Sequence, residues 1–166
     1  MPNKGPRAGI ECKLYYNATV AATFATQAPT LVTEVQDLNV TLNKTSIDIV
    51  SRASQWKSKI SGAFDIAINF SYLYNGDPDD TVLTAMRNAF LNRTIWHWAV
   101  MDNLIVNPGA PGAQGITLPG EILEFPIDQP LEDAMKIDIV VGLSRIKVGT
   151  PLALVDPAWL IIAPPA

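Results

Sequence analysis

The sequence predicts a mainly β fold, a β-sandwich or β-barrel protomer with one peripheral α-helix. Apolar and polar residues alternate with period two over long segments, which is typical of half-buried strands, and one segment carries a helical pattern. The chain has 166 residues, enough for a single well-buried domain. Charged residues make up only 17% of it, which favours burial of surface in an oligomer, although a weakly charged monomer is the alternative.

Two strands carry the clearest alternation. Residues 63–74 and residues 134–147 have aliphatic or aromatic side chains at most second positions and small or polar side chains between them. Successive side chains of a strand point to opposite faces, so each strand has a core face and a small, polar face. The predicted core positions are Phe64, Ile66, Ile68, Phe70, Tyr72 and Tyr74 in the first strand, and Met135, Ile137, Ile139, Val141 and Leu143 in the second.

A hairpin is predicted just before the first of these strands. Residues 34–42 and 44–53 also alternate, and we expect a turn between them near Asn43. Their inward positions include Ile47 and Ile49. The outward positions include Ser46, Asp48 and Arg52.

Residues 53–62 break the alternation and predict an extended loop. Trp56 lies in this segment beside Lys57 and Lys59. An exposed tryptophan among cationic residues is typical of a protein contact. We therefore expect the loop to touch another subunit.

One helix is predicted after Asp77. This aspartate would cap the helix, the proline that follows suits the first helical position, and the next two carboxylates complement the positive end of the helix dipole. Apolar residues then recur at spacings of three and four, which gives one buried stripe that ends near Asn92. The stripe consists of Val82, Leu83, Met86, Ala89 and Phe90.

The remaining segments are two strand regions and the two ends. Residues 94–106 are apolar on both sides and predict a strand covered on both faces. Residues 115–128 predict another strand or pair of strands that ends at Pro126. Residues 1–9 are polar and predict an N-terminal arm, whereas residues 158–166 are largely apolar and predict a C-terminal arm docked onto a neighbouring subunit.

No catalytic residue, cofactor or metal site is predicted. The only histidine, His97, lies between two tryptophans and is expected to be packed in a strand. A Gly-x-Ser-x-Gly elbow is absent, and the single cysteine, Cys12, belongs to an unrelated segment. Helix capping explains the carboxylates from Asp77 onwards. A solvated edge explains those from Glu121 to Asp133, with paired-carboxylate catalysis as the open alternative.

The charge argues against a protein that grips nucleic acid. The chain has 16 acidic and 12 basic residues, a net charge of −4, and the basic residues are scattered along it. The N-terminal segment lacks the apolar run of a signal peptide, and a run of about 18 apolar residues is absent. We therefore expect a protein made in a cytoplasm, without a membrane-spanning segment.

Residues 34–56 resemble the first strand pair and the following loop of phage tail tube proteins, also called major tail proteins, and residues 60–70 resemble their next strand. The order of the elements is similar over residues 31–147. The resemblance implies hexameric rings that stack into a hollow tube, as the similar type VI secretion tube protein does. In such a ring the strands form one continuous inner β-barrel around a lumen, and the helix lies outside.

The resemblance also implies a role, a location and partners. A bacteriophage tail tube subunit is a structural protein without enzymatic activity, assembled in the bacterial host cytoplasm and placed in the virion tail. Its implied partners are further copies of itself, sheath, tape measure, baseplate and tail-terminator proteins, and DNA that passes during genome ejection without specific binding. The lumen-facing candidates are Asp37, Asn39, Ser46, Asp48, Asp65, Asn69, Ser71 and Asp138. The candidates for contacts between subunits are Arg52, Trp56, Lys57, Lys59, Leu160 and Ile161.

The alternative function is a ligand-binding β-sandwich, for example one that binds carbohydrate. Trp56, Trp96 and Trp98 would then form a platform on which sugar rings stack. Burial of these tryptophans would exclude this alternative. An enzyme is a third possibility, and it would depend on His97.

Overall fold

A computed structural model describes residues 12–21, 24, 28–50, 57–74, 76–77, 79–105, 112–128, 135–148 and 153–162. The predicted mainly β architecture with one helix is confirmed for these residues. The helix is α1 (Thr81–Leu91), and the strands are β1 (Lys13–Asn17), β2 (Thr30–Val32), β3 (Val35–Val50), β4 (Lys57–Leu73), β5 (Trp96–Met101), β6 (Ala113–Glu124), β7 (Ile127–Asp128), β8 (Lys136–Leu143), β9 (Lys147–Val148), β10 (Ala153–Leu154) and β11 (Ala158–Ile162).

Nine of these strands form one antiparallel sheet. Seven follow one another in the order β2-β1-β5-β6-β8-β4-β3. The first half of β6 pairs with β11 and its second half pairs with β8, while β5 lies on its other side. The short strand β7 pairs with β8. Because β2 and β3 end this order, the sheet is not closed among the described residues.

The main core lies inside the curl of the sheet. Leu14 on β1, Trp98 on β5 and Phe70 on β4 are almost completely buried there. Val32, from one end of the strand order, belongs to the same cluster as Val40, from the other end. The sheet therefore wraps around this cluster. We call the surface that carries these side chains the core face, and the opposite surface the outer face.

The outer face is apolar on the half of the sheet that contains β1, β5 and β11. Tyr15, Ala99 and Met101 are buried there and cluster with Phe24 and Ile105. The hydroxyl of Tyr15 accepts a hydrogen bond from the amide of Ile105 at 2.8 Å. Strand β5 is therefore covered on both faces, which confirms the prediction made from its apolar sequence.

The helix begins later than the sequence predicted. Its N-cap is Asp80, whose carboxylate accepts a hydrogen bond from the amide of Leu83 at 2.9 Å. The prediction of Asp77 as the cap is wrong, because its carboxylate instead accepts from the amide of Asp79 at 2.9 Å and closes a turn before the helix. The predicted end of the helix is confirmed, since Asn92 is its C-cap.

Strands β3 and β4 form a single long hairpin. The predicted turn near Asn43 is wrong, because β3 runs through this residue without a break. The predicted loop over residues 53–62 is wrong for residues 57–62, which form the first part of β4. Residues 51–56, which connect the two strands in sequence, lie outside the described residues.

The turn was misplaced because the apolar positions of β3 change phase, from Val40 and Leu42 to Ile47. The pairing of the hairpin itself has two irregularities. Near the start of β3 an extra residue is inserted at Asp37, which has a φ of 51°. Between the pairs Lys44 with Phe64 and Ser46 with Ser61, β4 has one residue more than β3. Each bulge shifts the alternation of its own strand relative to the partner strand without ending the pairing.

The C-terminal segment belongs to the sheet of its own chain. Residues 158–162 of the predicted C-terminal arm are not a separate arm, because they form β11 and pair with β6 of the same chain. Leu160 and Ile162 explain this placement, because they pack against the apolar cluster on the outer face. Docking of residues 158–162 onto a neighbouring subunit stays a prediction. The predicted N-terminal arm, residues 1–9, lies outside the described residues.

Candidate assembly surfaces

The outer face is small and polar on the half of the sheet that contains β3, β4, β8 and the second half of β6. The pairing places Asn39 beside Asn69, and Ser71 beside Asp138. The hydroxyl of Ser71 donates a hydrogen bond to the carboxylate of Asp138 at 2.5 Å, which joins two strands across this surface. We call this surface the polar face. Its members are Gln36, Asn39, Thr41, Asn43, Asp65, Ala67, Asn69, Ser71, Glu121, Glu124, Lys136, Asp138, Val140 and Gly142.

The centre of the polar face carries one large apolar side chain, Leu123, which packs over a glycine and is 58% exposed. Gly142 lies beneath Leu123, and a Cβ added at Gly142 would come within 2.4 Å of a Leu123 methyl carbon. The face also carries more negative than positive charge, which would repel the phosphates of a nucleic acid. Its charged members are the carboxylates of Asp65, Glu121, Glu124 and Asp138 and the ammonium group of Lys136.

The structure brings some of the predicted lumen residues together and separates others. Ser46 and Asp48 do not share a surface with Asp65, because alternation along β3 places them on the opposite face from Asn43, which pairs with Asp65. Asp37 lies in the first bulge and borders a cleft of about 540 Å³ next to Cys12. A lumen-facing role stays a prediction for the residues that do share the polar face, which are Asn39, Asp65, Asn69, Ser71 and Asp138.

The distal part of the β3–β4 hairpin extends past the rest of the sheet. We define the arm as residues 42–50 and 57–65, which pair with each other, whereas β8 pairs with β4 only from Ala67 onwards. The arm therefore has free strand edges on both sides among the described residues. Its large apolar side chains are exposed, with Leu42 60%, Ile47 63%, Ile60 54% and Phe64 63% accessible.

Three charged side chains of the arm, Lys44, Asp48 and Lys59, interact with other arm residues. The Lys44 ammonium group lies 4.7 Å from the centre of the Phe64 ring. The Lys59 ammonium group lies 3.8 Å from the Asp48 carboxylate, and both side chains are well exposed. Exposed pairs of this kind contribute little to stability. The Lys59–Asp48 pair has no net charge, whereas Lys44 keeps its positive charge over the ring.

Strand β11 exposes a second apolar surface. Trp159 and Ile161 are 65% and 69% exposed, whereas Leu160 packs in the outer-face cluster of its own chain. Trp159 pairs with Ile116, which packs against the main core, so Trp159 lies on the core-face side. Ile161 was predicted as a contact residue from the sequence, and Trp159 was not. The alternation in this strand places Trp159 on the same face as Ile161 and could have revealed it.

The other predicted contact residues are only partly described. Lys59 is exposed on the arm. Lys57 belongs to the first residues of β4. Arg52 and Trp56 lie outside the described residues. A contact role between subunits stays a prediction for all four.

The structure contradicts the proposed tryptophan platform and buries the only histidine. Trp96 and Trp98 are 5% and 0% exposed, and the indole nitrogen of Trp98 donates a hydrogen bond to the carbonyl of Gly120 at 3.2 Å. These two rings therefore cannot stack on a ligand from solvent. His97 is 2% exposed and meets Phe24 edge to face at 4.9 Å, which confirms that it is a packed strand residue.

The described part of the chain contains neither a metal cluster nor a membrane-spanning helix. No cluster of three or more His, Cys, Asp or Glu side chains there could hold a metal ion. The helix found there is too short and too polar to cross a membrane. The notable features of these residues are the polar face, the arm and β11.

Comparisons with known proteins were made by sequence and by structure. Neither a protein-family model nor a curated protein matches the chain. Among solved structures, the SPP1 tail tube matches with a TM-score of 0.66 and 14% identity over 95% of this chain and 80% of that chain. The tail of an empty gene transfer agent particle, with C6 symmetry, matches with a TM-score of 0.63 and 15% identity over 92% of this chain and 100% of that chain.

The chain has the tail tube fold. A third match is the baseplate of the anti-feeding prophage, symmetrised six-fold, with a TM-score of 0.51 and 10% identity over 95% of this chain and 97% of that chain. Identities this low establish the fold alone. The fold that the sequence resemblance implied is therefore confirmed, and the function of the chain is inferred below from its surfaces.

Proposed function

We propose that this protein is a structural, non-enzymatic subunit of a phage or phage-derived tail tube. Six copies would form a ring, and rings would stack into a hollow conduit through which DNA passes. The observation that carries the proposal is the polar face, a four-stranded surface whose reverse side is buried in the core, in a chain with the tail tube fold. Such a surface can line a channel because small side chains leave the channel open.

The charge of the chain suits a conduit that releases DNA. A ring of six copies at −4 each would carry 6 × −4 = −24 formal charges. With the polar faces directed to the ring axis, the carboxylates of Asp65 and Asp138 would repel the phosphates of the passing DNA. The wall would therefore guide DNA without binding it.

The single copy has unsatisfied surfaces that a ring would cover. Among the described residues, strands β2 and β3 end the strand order and have free edges, which are templates for pairing with another chain. The arm and β11 expose large apolar side chains, which mark sites of protein association when they are grouped. Assembly would pair the edges and bury the apolar groups.

The same proposal places the protein in the virion tail, after assembly in the bacterial host cytoplasm. The similar structures come from a virion, from tails and from a baseplate. A tube subunit in this position would meet baseplate and tail-terminator proteins at the two ends of the tube. It would also meet a tape measure protein inside the tube and, in a contractile tail, a sheath outside.

Cysteine labelling of assembled protein tests the orientation of the polar face. In a Cys12→Ser background, Asp65→Cys places a thiol on the polar face and Leu91→Cys places one on the exposed end of α1. Negative-stain microscopy should first show rings or tubes. In tubes, a bulky maleimide should modify the Leu91→Cys thiol at least about tenfold faster than the Asp65→Cys thiol, because only the latter is enclosed.

Dissociated protein is the control, and both thiols should react there at similar rates. Tubes in which the two thiols react equally would contradict the proposed lumen. A protein that stays monomeric at every concentration, alone and with tail initiator proteins, would contradict the function itself.

A further inference from the structure

We infer that the arm of one copy packs on the exposed side of β11 in the adjacent copy of the same ring. The contact would join Leu42 and Phe64 of the arm to Trp159 and Ile161 of the neighbour. This inference rests on the proposed ring, and it specifies which part of the neighbour receives the arm. Four observations support it.

First, a ring requires two different surfaces on every copy. In a cyclic assembly of more than two copies, each copy presents one surface to the next copy and another to the previous one. The arm and β11 are separate elements, and each exposes at least two large apolar side chains by more than half. They can therefore serve as the two sides of one heterologous interface.

Second, the two surfaces lie at the same level along the strands. Strand β8 ends where it pairs with β4 at Ala67 and with β6 at Gly120. The arm is the part of the hairpin that extends past this end of β8. Strand β11 pairs with the residues of β6 that precede Gly120, and these residues extend past the same end of β8. Rotation about a ring axis keeps the height along the axis, so surfaces at the same end of a subunit can meet within a ring.

Third, the contact would not bury an unpaired charge among the described residues that form it. Strand β11 has the sequence Ala-Trp-Leu-Ile-Ile and no ionisable side chain. On the arm, Asp48 and Lys59 on the side of Leu42 form a pair without net charge. Lys44 is exposed, so its ammonium group can stay in water while its stem lies along the Phe64 ring. Docking of apolar groups there avoids the large cost of an isolated buried charge.

Fourth, the exposed side chains of the arm and of β11 lie on the core-face side of the sheet, next to the part of the core face that is buried. Trp159 pairs with Ile116, which pairs with Val100, so these side chains form one row across the core face. In the hairpin, Leu42 pairs with the buried residue Ile66. A neighbour packed against these surfaces would complete the cover of the core at this end of the subunit.

Disulfide trapping tests the inference. In the Cys12→Ser background, the double variant Phe64→Cys/Ile161→Cys places one thiol on the arm and one on β11 of every copy. Oxidation of assembled rings should link adjacent copies into a series of covalent oligomers that ends at the hexamer. The matched control is Phe64→Cys/Leu91→Cys, in which the second thiol is equally exposed, at 69%, but lies on α1.

The control should give no such series, and each single variant should give dimers at most. Rings that form without the series, or a series of equal yield in the control, would overturn the inference and leave the proposed ring intact. Absence of rings in the Cys12→Ser background would instead overturn the proposed function, and the inference with it.

A second measurement does not depend on thiol geometry. Trp159→Ala should raise the protein concentration needed for ring formation by about tenfold or more, as expected for loss of an aromatic anchor at an interface. Leu91→Ala, a change at a side chain of similar exposure, should leave that concentration unchanged. Both proteins should unfold at the same denaturant concentration as the parent, since neither side chain is buried in the single copy. Equal assembly of the two variants would overturn the inference.

Discussion

The two ends of the β3–β4 hairpin carry the same alternating pattern and lie in opposite environments. Near its base, Phe70 and Tyr72 are 3% and 2% exposed and belong to the main core. On the same strand and the same face, Phe64 in the arm is 63% exposed. A period-two pattern therefore shows which face of a strand is meant to be covered, but not whether its own chain or another copy supplies the cover.

The largest expected effect is the difference in stability between alanine variants of the two phenylalanines of β4. Phe70→Ala removes a buried ring and should lower the free energy of unfolding by about 3–5 kcal/mol. Phe64→Ala should lower it by less than about 1 kcal/mol, because the ring is already in water in the single copy. Urea unfolding of unassembled protein measures both values. Similar losses for the two variants would show that the arm is not a separate, uncovered surface.

Acid should destabilise the buried body of the protein rather than the arm. His97 is buried, its Nδ1 has no hydrogen-bond partner among the described residues, and burial lowers its pKa from 6.5 to about 4. Between these pH values the unfolded chain binds a proton that the folded chain does not. The free energy of unfolding should therefore fall as the pH decreases through this window, by up to about 3 kcal/mol.

Urea unfolding at pH 7 and pH 4 checks this effect of acid. In the variant His97→Leu, the part of the pH dependence that comes from the histidine should disappear. The arm variant Lys59→Gln should keep the full pH dependence of the parent. An identical pH dependence in His97→Leu and the parent would show that the histidine is not the source.

A smaller difference is expected between variants of two carboxylates, one bound to the base of the hairpin and one on the arm. The Asp80 carboxylate caps α1 and accepts a hydrogen bond from the hydroxyl of Tyr72 at 2.7 Å. Asp80→Ala removes the cap and leaves a buried hydroxyl unpaired, so it should cost about 2 kcal/mol. Asp48→Ala breaks only the exposed pair with Lys59 and should cost less than about 0.5 kcal/mol.

Thermal unfolding at low and high salt measures this pair of variants. The loss for Asp80→Ala should persist at high salt, because the hydrogen bonds to Leu83 and Tyr72 are partly buried. The small loss for Asp48→Ala should vanish as salt screens the exposed pair. A larger loss for Asp48→Ala than for Asp80→Ala would reverse the distinction between the base and the arm.

Local signals predicted much of the sheet and missed some of it. The alternation in β4 and β8 identified the core positions Ile68 and Ile139, which are 0% and 1% exposed. Strand β1 was missed, because its Leu-Tyr-Tyr run is buried on both faces and shows no alternation. Strand β2 was missed because three residues are too few for a period to show.

The sequence predicted only some of the residues that share the polar face. Asn69, Ser71 and Asp138 share the polar face, since each lies in an uninterrupted stretch of alternation. Ser46 and Asp48 were assigned to that face in error, because a turn was predicted near Asn43. Strand β3 has neither a turn nor an inserted residue there, so alternation places both residues on the opposite face from Asn43. A single inserted residue inverts every assignment beyond it.

The sequence by itself determined the mainly β class, the position of the helix stripe and the faces of the long strands. These features follow from the geometry of neighbouring residues in one element, which a local pattern records. Only the tertiary structure decided that Asp80 rather than Asp77 caps the helix, that residues 158–162 complete the sheet, and that the arm extends beyond its cover. These features depend on which distant segments contact each other, and the sequence of one segment does not specify the energy of such contacts.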